Sequence, residues 1–311
     1  MRVAIAGCGA LGSVIAFHLL GSGYPGLELE LIQRPGEHFD AISKKGLKIH
    51  LPDGGTKTLP IPVSPGGTGR GSFDLVIVLV KSGDTGRVAP MIEKELAPMG
   101  VALTLQNGLG NAEELARMLG ASRVAAGVTT FGGYRKAPGE VVVAGEGTVI
   151  FGPWEKGMDL GKIRDLFLSA DLNPQLVEDP REAICRKLVL NAAINPLAAI
   201  VRQNNGAIIG NPDLAAVMDL LLGEAVEAMA LKGVLIDLEE IRKTIMETLK
   251  KTSSNRASML QDIEAGRRTE IDNINGQILA AAETHGIDLP CTRVITHLVK
   301  GLERGFPESS G

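Results

Sequence analysis

The 311-residue sequence contains few aromatic side chains and no strong excess of charge of either sign. Aromatic residues make up 3% of the chain, and 32 Lys and Arg residues stand against 36 Asp and Glu residues, for a net charge of −4. Proteins that bind nucleic acids usually cluster Lys and Arg, often beside aromatic rings that stack on bases. The composition therefore argues against a nucleic-acid partner.

Cysteine is scarce as well. Cys8, Cys185 and Cys291 lie far apart, their number is odd, and the sequence has no CxxC motif or Cys/His cluster. Such spacing supports neither a disulfide framework nor a zinc site. We therefore expect no bound metal and a reducing, cytoplasmic environment.

Long uninterrupted apolar segments are also missing from the sequence. The N-terminus resembles a signal peptide, because an early Arg2 precedes a mainly apolar run. That run is interrupted by glycines at positions 7, 9 and 12, which fit a binding loop better, and it contains His18. No other segment reaches the roughly 18 apolar residues of a membrane span. The sequence thus predicts neither a targeting segment nor a membrane partner.

What the first half of the chain does contain is an alternation of short apolar strands and helical patterns. Strands are predicted at 2–7, 27–32, 73–81, 101–107 and 123–130, with helices at 10–22, 85–98 and 111–119. Residues 139–153 predict a hairpin at the sheet edge, and 172–179 one more strand. Apolar strands that alternate with helices predict a parallel sheet covered on both faces.

The second half is dominated by helical periodicity. Helices are predicted at 181–202, 213–232, 238–251, 270–285 and near 290–304. Gly233 and Gly286 stand where glycines commonly end helices. We therefore predict an α/β domain at residues 1–178 and an all-α domain at residues 179–311.

A glycine-rich loop, GCGALG, follows the first predicted strand and opens the first helix. In that context GxGxxG is typical of a Rossmann-type dinucleotide-binding domain, where the glycines allow a tight turn, a close approach of the pyrophosphate and helix packing. The helix N-terminus supplies N–H donors and partial positive charge. The alternative is a glycine-rich turn that binds no nucleotide. The candidate cofactor contacts are Gly7, Cys8, Gly9, Ala10, Leu11 and Gly12.

The end of the second strand indicates which dinucleotide is preferred. An NAD-selective fold usually places Asp or Glu there, but this chain has Gln33 and Arg34. A guanidinium can bind a 2′-phosphate, whereas a carboxylate would repel it. We therefore predict NADP(H) as the cofactor with Arg34 as the main contact; the alternative is that Arg34 is a solvated loop residue.

Two further strand ends carry polar residues. Lys81 follows the third predicted strand, and Gln106-Asn107-Gly108 follows the fourth. Ligands of open α/β sheets bind outside the carboxyl ends of the strands, so both segments are expected to face the cofactor. Alternatively, Lys81 is a solvated residue and Asn107-Gly108 only a turn.

The segment RKLVLNAAINP, residues 186–196, places Lys187, Asn191 and Asn195 four residues apart in an otherwise apolar helix. That spacing puts the three side chains on one helix face. An ammonium there can donate a proton to a ketone oxygen, and the amides can bind a small polar substrate. Pro196 is expected to end or kink the helix. The alternatives are a stripe that faces water and a helix start with unrelated asparagines.

Other candidates lie near the stripe or in the segment 253–272. Asn205 is a possible further ligand of the substrate, Ser258 can bind a carboxylate, and Glu270 can hold the lysine or a substrate hydroxyl. Ser258 also fits a capping box, and Glu270 also fits the first turn of a helix, where the macrodipole favours acids.

Over nearly its whole length the chain resembles the ketopantoate reductases (2-dehydropantoate 2-reductases). The KxxxNxxxNP helix and the SMLQD…GRxTEIDxING block are the specific motifs, and they occur in the right order. The matching segments are GCGALG (7–12), the Lys81 strand end, LQNG (105–108), GVTTFGG (127–133), KLVLNAAINPLAAI (187–200), Asn205-Gly206 and SSNRASMLQDIEAGRRTEIDNINGQI (253–278).

The resemblance implies two domains with the active site between them. It implies that Lys187 is the general acid and that Glu270 partners the substrate hydroxyl, the lysine and the cofactor. The implied substrate ligands are Asn191, Asn195, Asn205, Ser258 and Asn107; the implied NADPH ligands are the glycine loop, Arg34, Lys81, Asn107 and Glu270. Family members often have Gln three residues after the lysine, whereas this chain has Asp84, an acid less favourable to phosphate.

The resemblance further implies hydride transfer to the C2 ketone of ketopantoate. The rival readings are a broad 2-oxoacid, opine-type or β-hydroxyacid dehydrogenase of the same build, and a non-enzymatic NADP(H)-binding sensor. The sensor would need the glycine loop but not the stripe together with Glu270. A monomer and a homodimer are equally compatible with the sequence.

Overall fold

The computed structural model describes residues 1–67, 69 and 71–306. The chain forms two compact units. The first unit comprises Met1–Gln106 and Gly110–Pro180, and the second comprises Asn107–Leu109 and Arg181–Gly311. The second unit thus includes a short segment that lies inside the predicted first domain.

The first unit is built on an eight-stranded sheet of order β12-β11-β8-β7-β6-β1-β2-β5. Its strands are β1 (Arg2–Ala6), β2 (Glu28–Ile32), β5 (Val63–Ser64), β6 (Phe73–Val78), β7 (Leu96–Thr104), β8 (Val124–Thr129), β11 (Val149–Pro153) and β12 (Pro174–Leu176). Read across the sheet, the six strands β5, β2, β1, β6, β7 and β8 are parallel to their neighbours. This is the 3-2-1-4-5-6 order of dinucleotide-binding sheets. The strand order reverses between β1 and β6, where such folds bind their ligand.

The helices of this unit are α1 (Ala10–Gly21), α2 (Glu37–Lys45), α3 (Thr85–Glu95), α4 (Asn111–Leu119) and α5 (Gly161–Ser169), with 3-10 turns at Ser82–Asp84 and Ala121–Arg123. A second sheet, of order β4-β3-β10-β9, contains β3 (Leu47–His50), β4 (Thr56–Leu59), β9 (Gly133–Ala137) and β10 (Glu140–Val143). Helix α1 contacts β3, β9 and β10 of this second sheet. Because α1 also follows β1 of the main sheet, its apolar residues are buried in one continuous core.

The hairpin predicted at residues 139–153 is wrong. Strand β10 pairs with β9 and β3 in the small sheet, whereas β11 pairs antiparallel with β8 in the main sheet. Both strands have the same β-type composition, so local sequence could not show that they join different sheets.

Several elements carry no prediction from the sequence, namely α2, β3, β4, β5, β9 and α5. The third predicted strand is also shorter than expected, since β6 ends at Val78 and Lys81 lies beyond it. The unpredicted elements are short, and strands β4 and β9 are exposed along most of their length, which leaves a weak hydrophobic pattern.

The second unit is helical. Its helices are α6 (Arg181–Val201), α7 (Gly206–Gly210), α8 (Pro212–Leu231), α9 (Leu238–Lys251), α10 (Ser258–Glu264), α11 (Asn275–Glu283) and α12 (Pro290–Leu302), with a 3-10 turn at Ile271–Asn273. Helix α6 packs against α8, α10 and α12 and forms the centre of a separate apolar core. The predicted fold class, an α/β Rossmann-type part followed by an all-α part, is confirmed.

Helix α6 does not end at Pro196, as the sequence leads one to expect, but continues to Val201. Proline has no N–H to donate to the carbonyl of Ala192, four residues earlier. The side-chain amide of Asn275 donates to that carbonyl instead, at 3.1 Å. The helix therefore keeps its hydrogen bonding across the proline.

By length and hydropathy, α6 is also the one helix among the described residues that could span a membrane. Most residues of its apolar segment are buried inside the unit, as in the core helix of a globular domain. The helix is thus explained by packing.

Candidate active site

The glycine loop of the first unit has the geometry that its sequence predicts. Gly7 has φ of +99°, and a Cβ there would lie 2.5 Å from the backbone N of Val80 on the neighbouring chain segment. A Cβ on Gly12 would clash with the carbonyl oxygen of Gly7. Around Gly9, by contrast, there is open space, and α1 begins there without a side-chain cap. The exposed backbone N–H groups at this end of α1 can therefore bind a phosphate.

Two side chains missed by sequence reasoning hold this loop. The Gln33 side-chain oxygen accepts a hydrogen bond from the N–H of Cys8 at 2.9 Å. The buried His38 ring joins Nε2 to the Cys8 carbonyl at 2.7 Å, while its Nδ1 accepts from the N–H of Gly139 at 2.9 Å. Since Nδ1 is an acceptor, Nε2 carries the proton and His38 is neutral. Burial lowers the His38 pKa further, which keeps both bonds in place.

A second buried network fixes the segment after β6. The side-chain amide of Gln106 donates to the carbonyl of Val80 at 2.9 Å and to the hydroxyl of Thr85 at 2.8 Å. Thr85 in turn donates to Asn111, whose amide donates to Ser82 at 3.2 Å. The turn that presents Lys81 is therefore held by polar side chains from α3, α4 and the segment that follows β7. Gln106, which the sequence leads one to expect at the cofactor, uses its side-chain amide within this network instead.

The two positively charged side chains that are predicted to bind the cofactor are accessible to solvent. Lys81 and Arg34 are both exposed, after β6 and β2 respectively. Asp84, the residue that departs from the family pattern, is paired with Arg87 at 3.1 Å. That pairing offsets much of the negative charge that Asp84 would otherwise present to a phosphate.

In the second unit, Lys187, Asn191 and Asn195 lie along α6 as their spacing predicts. Asn195 is buried and the other two are half-buried, so the stripe is not an ordinary solvated face. Burial lowers the pKa of the Lys187 ammonium from 10.5 to about 8, while the charge of Glu270 acts to raise it. A lysine with such a pKa can lose and regain a proton near neutral pH.

Glu270 precedes the 3-10 turn at Ile271–Asn273, and is not in the first turn of an α-helix. One carboxylate oxygen accepts a hydrogen bond from the side-chain amide of Asn107 at 3.3 Å. Backbone contacts fix Asn107 in turn, because Leu109 N donates to the carbonyl of Asn273 at 3.3 Å. The fold thus groups Lys187, Glu270 and Asn107, which are distant in sequence.

The remaining predicted ligands lie on neighbouring elements of the same unit. Ser258 is exposed at the first residue of α10, which packs on α6, while Ala257 occupies the N-cap position. The capping-box alternative for Ser258 is therefore wrong. Asn205 is buried and donates to the hydroxyl of Thr252 at 3.0 Å, but its Oδ1 has no partner among the described residues.

The chemistry available in the second unit is proton donation beside several amide groups. Among the described residues no group of His, Cys, Asp and Glu could hold a metal ion. An ammonium can stabilise an oxyanion electrostatically and then protonate it. The amides can bind hydroxyl and carboxylate oxygens.

Comparisons with known proteins support a reductase. The family models for the ketopantoate reductase PanE/ApbA and for its C-terminal domain match residues 3–156 and 179–303. The 2-dehydropantoate 2-reductase of Archaeoglobus fulgidus is 37% identical, covering 98% of this chain and 99% of its own. The Halobacterium salinarum enzyme of the same name is 31% identical with the same coverage.

Solved structures give the same result. A PanE/ApbA family ketopantoate reductase from Ralstonia eutropha superposes with a TM-score of 0.87 at 30% identity, covering 98% of this chain and 99% of that one. D-mandelate dehydrogenase with NADH and anilino(oxo)acetate gives a TM-score of 0.92 at 25% identity, with the same coverage. Ketopantoate reductases are oxidoreductases that act on CH–OH groups and use NADPH. The family predicted from the sequence motifs is confirmed, and the chain belongs to the ketopantoate reductases.

Proposed function

We propose that this chain reduces 2-dehydropantoate (ketopantoate) to pantoate with NADPH, a step of pantothenate and coenzyme A biosynthesis. The observation that supports this most directly is the half-buried Lys187 next to Glu270, with a pKa lowered to about 8. Such a lysine is suited to donate a proton at neutral pH. A non-enzymatic NADP(H) sensor would have no need of it.

In this proposal Lys187 is the general acid. NADPH, when bound, supplies the hydride to the C2 carbonyl. The Lys187 ammonium hydrogen-bonds the ketone oxygen, stabilises the negative charge that develops there and transfers its proton to it. The Glu270 carboxylate favours the charged form of Lys187 against the cost of burial.

The substrate is held by the polar residues of the second unit. Asn191 and Asn195 project from the same face of α6 as Lys187, at successive turns of the helix. Their amides can donate to the carboxylate and hydroxyl oxygens of ketopantoate, and Asn205 and Ser258 are assigned to the same task. Glu270 can accept a hydrogen bond from the substrate hydroxyl.

Most of the proposed cofactor contacts belong to the first unit. The open space around Gly9 and the uncapped start of α1 fit a pyrophosphate, so we assign residues 7–12 to it. Arg34 is proposed to bind the 2′-phosphate, with Lys81 as a second cation. Asn107 and Glu270 complete the proposed set of cofactor contacts.

A second candidate function is the reduction of other 2-oxoacids with NADH. The specific observation in its favour is the likeness to D-mandelate dehydrogenase with NADH, at a TM-score of 0.92. A pocket that distinguishes apolar groups adds only about 1–3 kcal/mol of selectivity per methylene, so the substrate must be determined by assay.

The test is a panel of substrates in which the oxidation of the reduced cofactor is measured. Ketopantoate, pyruvate, 2-oxoisovalerate and benzoylformate are each assayed with NADPH and with NADH. We expect the highest kcat/KM for ketopantoate with NADPH. A preference for benzoylformate with NADH would favour the second candidate, and NADPH binding without turnover of any 2-oxoacid would favour the sensor.

The cytoplasm is the proposed location, in keeping with a biosynthetic reductase. Either a monomer or a homodimer is compatible with this function. Light scattering of the purified protein determines which of the two is present.

A further inference from the structure

Pro196 lies inside α6, the helix that carries Lys187, Asn191 and Asn195. Because proline lacks an N–H, the Ala192 carbonyl loses its helical partner. Ala192 is buried, and an unpaired buried carbonyl is costly. A hydrogen-bond donor from elsewhere is therefore needed at the centre of the stripe.

Asn275 supplies that donor from the first residue of α11. Its Nδ2 lies 3.1 Å from the Ala192 carbonyl oxygen, and the side chain is 0% exposed. The carbonyl can only accept, which fixes the orientation of the amide. The other polar atom of this side chain, Oδ1, has no hydrogen-bond partner among the described residues. The bond to Ala192 is therefore the contact that explains why an amide side chain occupies this buried position.

The same segment of chain carries Glu270. The Glu270 carbonyl accepts hydrogen bonds from the backbone N–H groups of Asn273 and Ile274, both at 3.0 Å. Asn275 is the next residue along the chain. The bond to Ala192 therefore connects the turn that bears Glu270 to the helix that bears Lys187.

We propose that Asn275 is a positioning residue that takes the place of the N–H missing at Pro196 and thereby sets the distance between Lys187 and Glu270. Asn275 touches neither substrate nor cofactor in this proposal. Only its kinetic consequence depends on the proposed function; the structural coupling between Asn275 and Pro196 does not.

The test is a double-mutant cycle of N275A and P196A. N275A removes the donor, and we expect kcat to fall about tenfold with little change in KM for NADPH. P196A restores a backbone N–H that can bond the Ala192 carbonyl, so it should remain near wild type. In the P196A background, N275A should then cost less than about threefold in kcat.

Two readouts separate positioning from general stability. The thermal midpoint is measured for all members of the cycle, and the titration of the Lys187 ammonium is followed by NMR of labelled lysine. N275A should shift the titration of Lys187, because its distance from Glu270 changes, and P196A should reverse part of the shift. T292V serves as the control, since Thr292 is buried in the same unit with a hydroxyl that has no partner among the described residues.

If N275A lowers kcat equally in both backgrounds, or leaves the Lys187 titration unchanged, the proposal is wrong. If N275A alone does not fold, the proposal requires that N275A/P196A folds with a recovered midpoint, and failure of the double variant would overturn it. If the wild type reduces no 2-oxoacid, the proposed function fails, while coupling in the thermal midpoints and in the Lys187 titration still decides the role of Asn275.

Discussion

The two units differ in the chemical groups that they offer to their proposed ligands. The first relies on backbone N–H groups, on glycines and on the start of α1, which has no side-chain cap. The second relies on side chains from α6, from the turn before α11 and from Asn107. In the first site, the side chains of His38 and Gln33 hold the loop, and Arg34 and Lys81 are the proposed cationic contacts of the cofactor. The proposed groups of the second site are all side chains.

This difference follows from what each proposed ligand group requires. A pyrophosphate needs several N–H donors at close range, which a backbone supplies without any change of protonation. A ketone that becomes an alcohol needs a proton, which only a titratable side chain can deliver. The first site should therefore be sensitive to added volume, and the second to lost charge and to pH.

The largest effect is expected from removing the charge of Lys187. Lys187→Met keeps an apolar side chain of similar length but has no proton to donate, so kcat should fall by about 10²- to 10⁴-fold. The measurement is NADPH oxidation at saturating ketopantoate. NADPH affinity, measured by fluorescence titration, should not change.

Lys243→Met, at an exposed position of α9, is the matched control and should retain full activity. Near-normal kcat in Lys187→Met would remove the proposed acid and with it the contrast between the two units.

Added volume in the glycine loop should give the next largest effect. Gly9→Val places a side chain in space that is open around Gly9, so the fold should survive while phosphate is excluded. The Kd for NADPH should rise about 100-fold, as expected for lost hydrogen bonds to a charged group. Fluorescence titration measures the Kd, and calorimetry the thermal midpoint.

Gly21→Val, at the other end of α1 and equally free of neighbours, controls for the effect of valine on the helix. Equal NADPH affinity in both variants would mean that the loop does not bind the pyrophosphate.

The pH dependence should separate the sites without any mutation. The pKa of Lys187 is lowered in the folded state to about 8, so kcat for reduction should fall about tenfold per pH unit above that value. NADPH affinity should stay flat over the same range.

Stability should change in the opposite direction. Between pH about 8 and 10.5, Lys187 carries a proton in the unfolded chain but has lost it in the folded chain. The contribution of this group to the free energy of unfolding therefore rises as the pH increases. A loss of kcat that merely follows unfolding would contradict the assignment.

A substitution at Arg34 should have a smaller effect, on the preference for NADPH over NADH. Arg34→Gln removes the proposed partner of the 2′-phosphate, and kcat/KM with NADPH should fall about tenfold. The same ratio with NADH should not change, because NADH lacks that phosphate. Arg164→Gln, an exposed arginine paired with Asp165, is the control; an equal loss with both cofactors would reject the assignment.

The smallest effect is expected at His38, a titratable side chain that holds the glycine loop through Cys8. His38→Phe keeps a ring but loses both hydrogen bonds, and the Kd for NADPH should rise about threefold. Because the His38 pKa is lowered in the folded protein, wild-type stability should decline as pH falls below 6.5, and less so in the variant. Phe17→Leu, which alters an aromatic residue elsewhere in this core, is a suitable control.

Much of the first unit could be predicted because its signals are local. The GxGxxG spacing and the apolar strands describe segments of a few residues. The structure reproduces the predicted β1, α1, β2, β6, β7 and β8. The helical stripe is equally local, since Lys187, Asn191 and Asn195 need only the helix period to share a face.

What the sequence could not show is pairing between distant segments. Strands β10 and β11 look alike in sequence, and only tertiary contacts place them in different sheets. Asn275 lies inside the predicted helix at 270–285 with no local signal of its role, which emerges only from its hydrogen bond to Ala192. The role of His38 likewise depends on Cys8 and Gly139 being brought to its two nitrogens.

The placement of Asn107–Leu109 in the second unit has a consequence for synthesis of the protein. Asn107 and Glu270 are 163 positions apart, so the carboxylate acquires this amide only after most of the chain has left the ribosome. A fragment that starts at Arg181 would contain all of α6 to α12 but would lack this neighbour of Glu270. Expression of the helical part alone should therefore yield an acid with one hydrogen bond fewer, however well its helices fold.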